Sequence, residues 1–211
     1  MPGVTQLSLY NKALRHLGER RLASLSEDRE PRRLLDDEYS DALNYCLGQG
    51  FWNFAMRTIS IDYDTGIEPP FGLQYAFAKP SDWLRTYQIA SDEMFSCPLT
   101  HWTDESQYWY ANVQTMYVGY ISNGDTYGLD LSQWPDTFVE YVAIYLARKI
   151  APSLTSISED KLEALEKREK RYRIDARAKD AMNEPVKYPP TGTWVRSRNY
   201  GSANRSSWGS R

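Results

Sequence analysis

The sequence lacks a long uncharged apolar run, a disulfide framework and a secretory signal. No stretch approaches the roughly 18 consecutive apolar residues that a membrane-spanning helix needs. Two cysteines among 211 residues make no disulfide framework. The N-terminus shows no basic segment followed by an apolar core and a small-residue cleavage site. We therefore expect a protein that neither spans nor binds a membrane and that suits a reducing compartment.

Motifs of familiar enzymes are also missing. The chain has two histidines and contains no G-x-S-x-G, Walker loop, H-E-x-x-H or glycine-rich dinucleotide fingerprint. Cys97 and His101 lie four positions apart, but Pro98 between them breaks the helical geometry, and no second pair exists to complete a metal site. We expect no cofactor and no metal, and His16 is interpreted as an ordinary, partly buried or surface histidine.

Carboxylate pairs are the remaining catalytic option. They lie among aromatic residues, as in a glycoside hydrolase, where one acid protonates and the other attacks or activates water. The pairs are Asp62 with Asp64, Asp92 with Glu93, and Asp104 with Glu105. The favoured interpretation is that these acids solvate loops between strands and that the protein is not an enzyme. A glycan-cleaving enzyme remains the alternative function.

Acidic and basic residues are unevenly distributed. The net charge of −3 conceals a middle segment, 51–131, whose ten acids and three bases give −7. Residues 183–211 carry five bases and one acid, which gives +4. Such a division indicates two surfaces with different partners. Charges over 158–182 interleave at spacings that predict i,i+4 ion pairs and a solvated helix.

Apolar spacing predicts helices at both ends of an inserted β segment. One helix spans Leu7 to Leu17 with Gly18 as its cap, and a second begins at Pro31. Alternation from Met56 onward predicts short antiparallel strands linked by hairpins over 51–131. A third helix begins at Pro135 and is expected to end at Pro152. A fourth helix has about 25 residues.

These elements predict a mainly α fold with a β-rich insertion, an α+β class. Residues 1–50 and 132–182 are expected to form a helical domain with a four-helix bundle core. Residues 51–131 are expected to form an antiparallel hairpin domain. Residues 183–211 have no periodicity that would pack a core, and we interpret them as an extended C-terminal arm that orders on a partner.

Two stretches make the order of features recognisable: Trp52-Asn53-Phe54 and Pro80-Ser81-Asp82-Trp83-Leu84-Arg85, which we call the signature stretches. Together with the helix that follows Trp134-Pro135, they make residues 7–182 resemble the tail tubular protein A family of podoviruses, the short-tailed phages. Proteins of this family are portal adaptors, or head-to-tail connectors. The resemblance implies that Trp52, Asn53, Phe54, Pro80, Asp82, Leu84, Arg85 and Pro135 are family signature or core positions.

The same resemblance implies a structural role in the virion, in the phage neck, for a protein made in the cytoplasm of the bacterial host. It implies a ring of twelve copies beneath the portal protein, with a tail nozzle of the tail tubular protein B type docked below. Double-stranded DNA would leave through the bore without sequence-specific contacts. The acidic middle segment would face either the bore, where it repels phosphates, or the nozzle.

The resemblance also implies a role for the C-terminal arm. Its aromatic and basic side chains are expected to form a clasp, that is, to bind the portal protein, since rings and arginines are frequent anchors of protein interfaces. The predicted anchors are Trp194, Arg196, Arg198, Tyr200, Arg205 and Trp208. Binding of the packaged DNA end by the same residues is the alternative.

Overall fold

A computed structural model describes residues 3–154 and 158–183 of the chain. Its four α-helices are α1 (Gln6–Leu17), α2 (Glu30–Gly48), α3 (Asp136–Leu154) and α4 (Glu159–Ala181). Its six strands are β1 (Met56–Asp62), β2 (Tyr75–Ala78), β3 (Trp83–Ala90), β4 (Trp102–Glu105), β5 (Tyr108–Ala111) and β6 (Thr115–Ser122). Short 3-10 turns occupy Asn53–Ala55 and Leu131–Gln133. None of the helices in the described ranges has the length and apolar character that crossing a membrane requires.

Local sequence signals set most helix ends. Gly18 follows α1 with a left-handed φ of 78°, and its amide donates to the last turn, as predicted. Pro31 stands in the first turn of α2, also as predicted. The expected stop of α3 at Pro152 is wrong, because the helix continues to Leu154. A proline so close to the end of a helix removes few of its backbone hydrogen bonds.

The prediction of a four-helix bundle is wrong. In a bundle, four helices share one core and each keeps a solvent face. Here α3 lies at the centre, and α1, α2 and α4 each pack on it, while α1 and α2 hardly touch each other. Every residue from Tyr141 to Ala147 is buried, which covers almost two full turns and so all sides of α3.

The composition of α4 limits its share of the helical core. Only Leu165, Glu169, Ala176 and Asp180 of this helix are buried, so its apolar stripe is narrow. Leu165 packs on Ile144 and Ala151 of α3, and Ala176 joins the core that contains residues of α1, α2 and α3. The rest of α4 therefore faces away from the helical core.

The β segment forms two three-stranded antiparallel sheets, in the orders β1-β6-β3 and β2-β5-β4. The expectation of a hairpin domain is wrong for most of these pairs, since only β4 and β5 are paired neighbours in sequence. The other pairs join strands distant along the chain, such as β1 with β6. The sheets enclose a second core that contains Phe77, Trp109, Met116 and Val118.

The sheet β1-β6-β3 has one end at the helices and one end away from them. Met56 and Ile121, paired in register at the first end, pack into the helical core. At the other end, Asp62 pairs with Thr115, and β3 ends at Ala90. Since β1 and β3 both flank β6, the loops that follow them leave the sheet at the same end.

The expected C-terminal arm lies, apart from Asn183, outside the described residues. The same holds for its six predicted portal-binding side chains, Trp194, Arg196, Arg198, Tyr200, Arg205 and Trp208.

Candidate interaction site

The first signature stretch joins the helical core to the end of α4. Trp52 is buried, and its indole Nε1 donates to the carbonyl of Cys46 at 3.1 Å. Asn53 makes two bonds to one residue: its backbone N–H donates to Oδ2 of Asp180 at 3.0 Å, and its Nδ2 donates to the Asp180 carbonyl at 2.8 Å. The last turn of α4 is therefore fixed to the turn that precedes β1.

Aromatic rings continue this junction into the core. The ring centroid of Phe138 on α3 lies 4.7 Å from that of Trp52 and 4.8 Å from that of Phe54. Trp134 approaches Phe138 edge-on at 4.8 Å. The carbonyl of Pro135 accepts the amides that open α3, Phe138 N–H at 2.9 Å among them. Signature residues Trp52 and Phe54 thus pack against one ring, and Pro135 opens the helix that carries it.

The second signature stretch is organised by Asp82, which lies just before β3. Its carboxylate accepts hydrogen bonds from Arg57 Nη1 at 2.8 Å, from the Tyr120 hydroxyl at 3.0 Å and from Ser122 Oγ at 2.5 Å. Its backbone carbonyl accepts the amide of Asn123. Asp82 thereby connects all three strands of one sheet at the end near the helices.

The environment keeps Asp82 ionised. Burial alone would raise the pKa of Asp82, but the hydrogen bonds from Ser122, Arg57 and Tyr120 outweigh it, so this pKa lies below its ordinary value. Burial, and then the hydrogen bond to Asp82, raise the pKa of Tyr120 above its ordinary value. A carboxylate held in this way stabilises structure and is a poor proton donor.

The remaining signature residues flank Asp82 on both sides. Pro80 accepts the amide of Trp83 through its carbonyl in a tight turn, and Leu84 packs against the helical core. The guanidinium of Arg85 lies 4.4 Å from the ring centroid of Phe51, and its Nη1 is 3.4 Å from the carbonyl of Gly48. Arg85 therefore connects β3 to the end of α2.

A cavity of about 410 Å³ lies where these elements meet. It is lined by Gln49, Phe51, Trp52, Arg85, Arg177 and Asp180. Two guanidinium groups and one buried carboxylate thus surround it, next to the half-exposed ring of Phe51. The walls of the cavity thus combine charges of both signs with an aromatic face.

The carboxylate pairs are mostly engaged with their own surroundings. Asp62 accepts a hydrogen bond from the Thr115 hydroxyl at 2.8 Å. The carboxylate of Asp92 accepts two backbone amides of its own loop, at 2.7 and 2.8 Å, which lower its pKa. Asp104 forms an ion pair with Lys79. These bonds suit the interpretation as loop and strand anchors, and the glycan-cleaving alternative stays a prediction.

The two histidines lie in separate places. His16 Nε2 lies 3.5 Å from Glu140 on α3, and Lys12 pairs with the same carboxylate at 2.7 Å. Hydrogen bonding by His16, with Lys12 acting in the same direction, lowers the pKa of Glu140 to about 2. His101 is exposed near Cys97, and within residues 3–154 and 158–183 no cluster of three or more potential ligands could hold a metal ion.

Sequence reasoning missed three residues of this junction: Phe51, Arg177 and Asp180. Asp180 is separated from its partner Asn53 by 127 positions. It stands in a helix so rich in both charges that a buried acid has no distinct signal there. For Phe51, the available signal was its position directly before the signature stretch Trp52-Asn53-Phe54.

No protein-family model matches the chain. No curated protein matches it either. The resemblance to tail tubular protein A therefore depends on the signature stretches and on the order of the elements around them.

Proposed function

We propose that this protein is a virion structural protein, the head-to-tail adaptor of a short-tailed phage. In this role it forms a ring, with twelve copies as the resemblance implies, between the portal protein and the tail nozzle. DNA leaves the head through the bore of that ring. The C-terminal segment, 183–211, binds the portal.

One observation carries the proposal: the two signature stretches meet at a single junction. Trp52 of one and Arg85 of the other line the same cavity. Asn53 attaches the end of α4 to this junction, and the chain continues from there into the C-terminal segment. Residues implied to be family positions thus lie together at the place where the proposed portal-binding segment begins.

The chemistry of the junction also favours a structural role. Asp82 is surrounded by hydrogen-bond donors, and the aromatic rings around Phe138 are packed in the core. These interactions give a rigid connection between the helices and the sheets. An adaptor that bears contacts on both sides needs such a connection, and a proton-transfer site would need a titratable group free to react.

The acidic charge of the β segment suits a DNA channel. Asp82 and Asp104 pair with Arg57 and Lys79, and most of the other acids of 51–131 are exposed. The segment therefore presents negative charge at its surface. Repeated around a ring, this charge repels phosphates if it faces the bore, and it steers the nozzle if it faces downward.

The test is the mass of the complex formed with the purified portal ring. We expect the full chain to bind in a fixed multiple and a chain ending at Met182 to fail. A full-length variant with Trp194→Ala and Trp208→Ala is the matched control, which should bind weakly while melting at the same temperature. Binding by the shortened chain would show that the clasp lies elsewhere, and absence of binding by the full chain would contradict the adaptor function.

A further inference from the structure

The C-terminal half of α4 has exposed bases on the side that faces away from α3. They are Lys170, Arg171 and Arg177, of which Arg177 also borders the cavity at the junction. The sequence predicts i,i+4 ion pairs along this helix, and such a pair joins Glu163 to Lys167, just before Lys170. Within the described ranges none of the three bases forms an ion pair. We call this surface the outward face of α4.

Apolar side chains interrupt the outward face. Ile174 is 62% exposed and Met182 is 82% exposed. Phosphates of a nucleic acid would be bound by the bases but would gain nothing from a bare isoleucine and methionine. A protein surface that combines acids with apolar residues satisfies both features.

The same chain carries such a surface at the end of the β segment away from the helices. It consists of residues 62–74 and 91–101, and we call it the far end. Its five acids are Asp62, Asp64, Glu68, Asp92 and Glu93, and it contains no lysine or arginine. Phe71 is fully exposed and Met94 is 85% exposed among them.

Within one copy, the length of the sheet separates the two surfaces. The strand β1 has seven residues, so its far end lies about 20 Å from the end that packs on the helices. The outward face of α4 belongs to the helical side and turns away from its core. A contact between the surfaces therefore needs two copies.

We propose that the outward face of α4 in one copy binds the far end of the next copy. The acids face the bases, and Phe71 and Met94 cover Ile174 and Met182. Because two different surfaces meet, each copy can bind one neighbour on either side, and such contacts close into a ring when the rotation allows it. The inference deepens the proposed function and rests on the ring that it describes.

The native thiols allow a direct test by cross-linking. Cys97 is exposed at the far end, and Cys46 is buried. In an Ala178→Cys variant, a second thiol stands on the outward face. A short bis-maleimide should then join residue 97 of one copy to residue 178 of another, and give covalent products larger than dimers.

Two variants control this cross-link. Ala178→Cys combined with Cys97→Ser should remove the higher products. Ser26→Cys, which places a thiol on an exposed loop between α1 and α2, should not give them. Peptide mass spectrometry identifies the joined residues, and links between other pairs of positions in place of 97 and 178 would overturn the inference.

Charge reversal tests the chemistry of the contact in the Ala178→Cys background. Lys170→Glu with Arg171→Glu should lower the yield of the cross-link about tenfold, and Glu68→Lys with Glu93→Lys should do the same. All four changes in one chain should restore it. Unchanged yields in the separate reversals, or no recovery in the combined chain, would overturn the contact. Loss of salt-dependent DNA affinity with an unchanged cross-link would assign the outward face to nucleic acid instead.

The cross-link is measured with the portal complex and with the free protein. The mass of the portal complex is measured in the same samples. Binding in a fixed multiple without the 97–178 link overturns the contact and leaves the adaptor function standing. Links in the free protein without portal binding support the contact and contradict the adaptor function. Absence of both overturns both.

Discussion

Replacing Asp82 with alanine should cost about 3 kcal/mol of folding free energy. The side chain is only 16% exposed, and three donors lose their acceptor at once. The bonds from Tyr120 and Ser122 each contribute about 1.5 kcal/mol, the lower part of the range for hydrogen bonds to a charged group. The bond from Arg57, whose side chain is 36% exposed, adds only about 0.2 kcal/mol after solvent screening.

Urea unfolding followed by circular dichroism measures this loss. For a chain of this size, about 3 kcal/mol corresponds to a fall in melting temperature of roughly 6–12 °C. Asp82→Asn should lose about half as much, because the amide oxygen still accepts one hydrogen bond. Glu105→Ala, a change of an exposed acid on β4, is the matched control and should stay within about 0.5 kcal/mol of the unsubstituted protein.

The stability of Asp82→Ala can contradict this role of the carboxylate. A loss below about 1 kcal/mol for Asp82→Ala, with an unchanged m-value, would mean that the three donors find other acceptors or water at little cost. The carboxylate would then be a surface feature of the sheet. The second signature stretch would need another explanation for its acid.

Three further predictions concern other contacts. Asn53→Ala should lower stability by about 1 kcal/mol and speed hydrogen exchange near Asp180, because the last turn of α4 loses a side-chain bond; unchanged exchange there would contradict the proposed attachment. Gly128→Ala should cost about 2–3 kcal/mol in thermal unfolding, since a Cβ would lie 2.2 Å from the Ser122 carbonyl oxygen, and a neutral result would show that this backbone shifts freely. The pKa of Glu140 falls from 4.5 to about 2 on folding, so its contribution of about 1–2 kcal/mol after screening is present above pH 4.5 and is lost as the pH falls toward 2. Glu140→Gln should therefore be less stable than the unsubstituted protein at neutral pH by that amount and equal to it near pH 2, and a pH-independent difference would exclude the linkage.

Helix ends could be predicted because the signals are local. Gly18 and Pro31 act on the backbone within one turn of their own positions, and both lie where the sequence places them. The central position of α3 had a signal as well, an unbroken uncharged run from Val142 to Ala147. A helix at the rim of a bundle would interrupt such a run with polar residues on its solvent face. The prediction of a four-helix bundle was wrong because it assigned α3 a single apolar face.

The pairing of strands could not be predicted from alternation. Alternation shows which side chains face a core: Ile59 and Ile61 on β1 do pack between the sheets. It does not identify the partner strand, and Ile61 pairs with Met116, 55 positions along the chain. The assumption that neighbouring strands form hairpins holds for β4 and β5 alone among the described strands.

The candidate site was only partly visible in the sequence. Trp52 and Asp82 stand out because a tryptophan and an acid in short, unusual stretches are distinctive. Asp180 does not stand out, because its neighbours in α4 carry charges of both signs. Its burial depends on the tertiary position of Asn53, which only the folded chain provides.

The acids of the β segment cannot serve two partners at once. Residues 51–131 carry ten acids and three bases, and five of the acids belong to the far end. If a neighbouring copy covers the far end, five acids and three bases of the segment remain uncovered. The charge available to repel DNA then falls from −7 to −2 per copy. A far end bound to the next copy thus weakens the argument for a DNA-repelling bore, and a far end open to the bore removes the partner for the basic face of α4. The 97–178 cross-link therefore also determines which of the two roles these acids have.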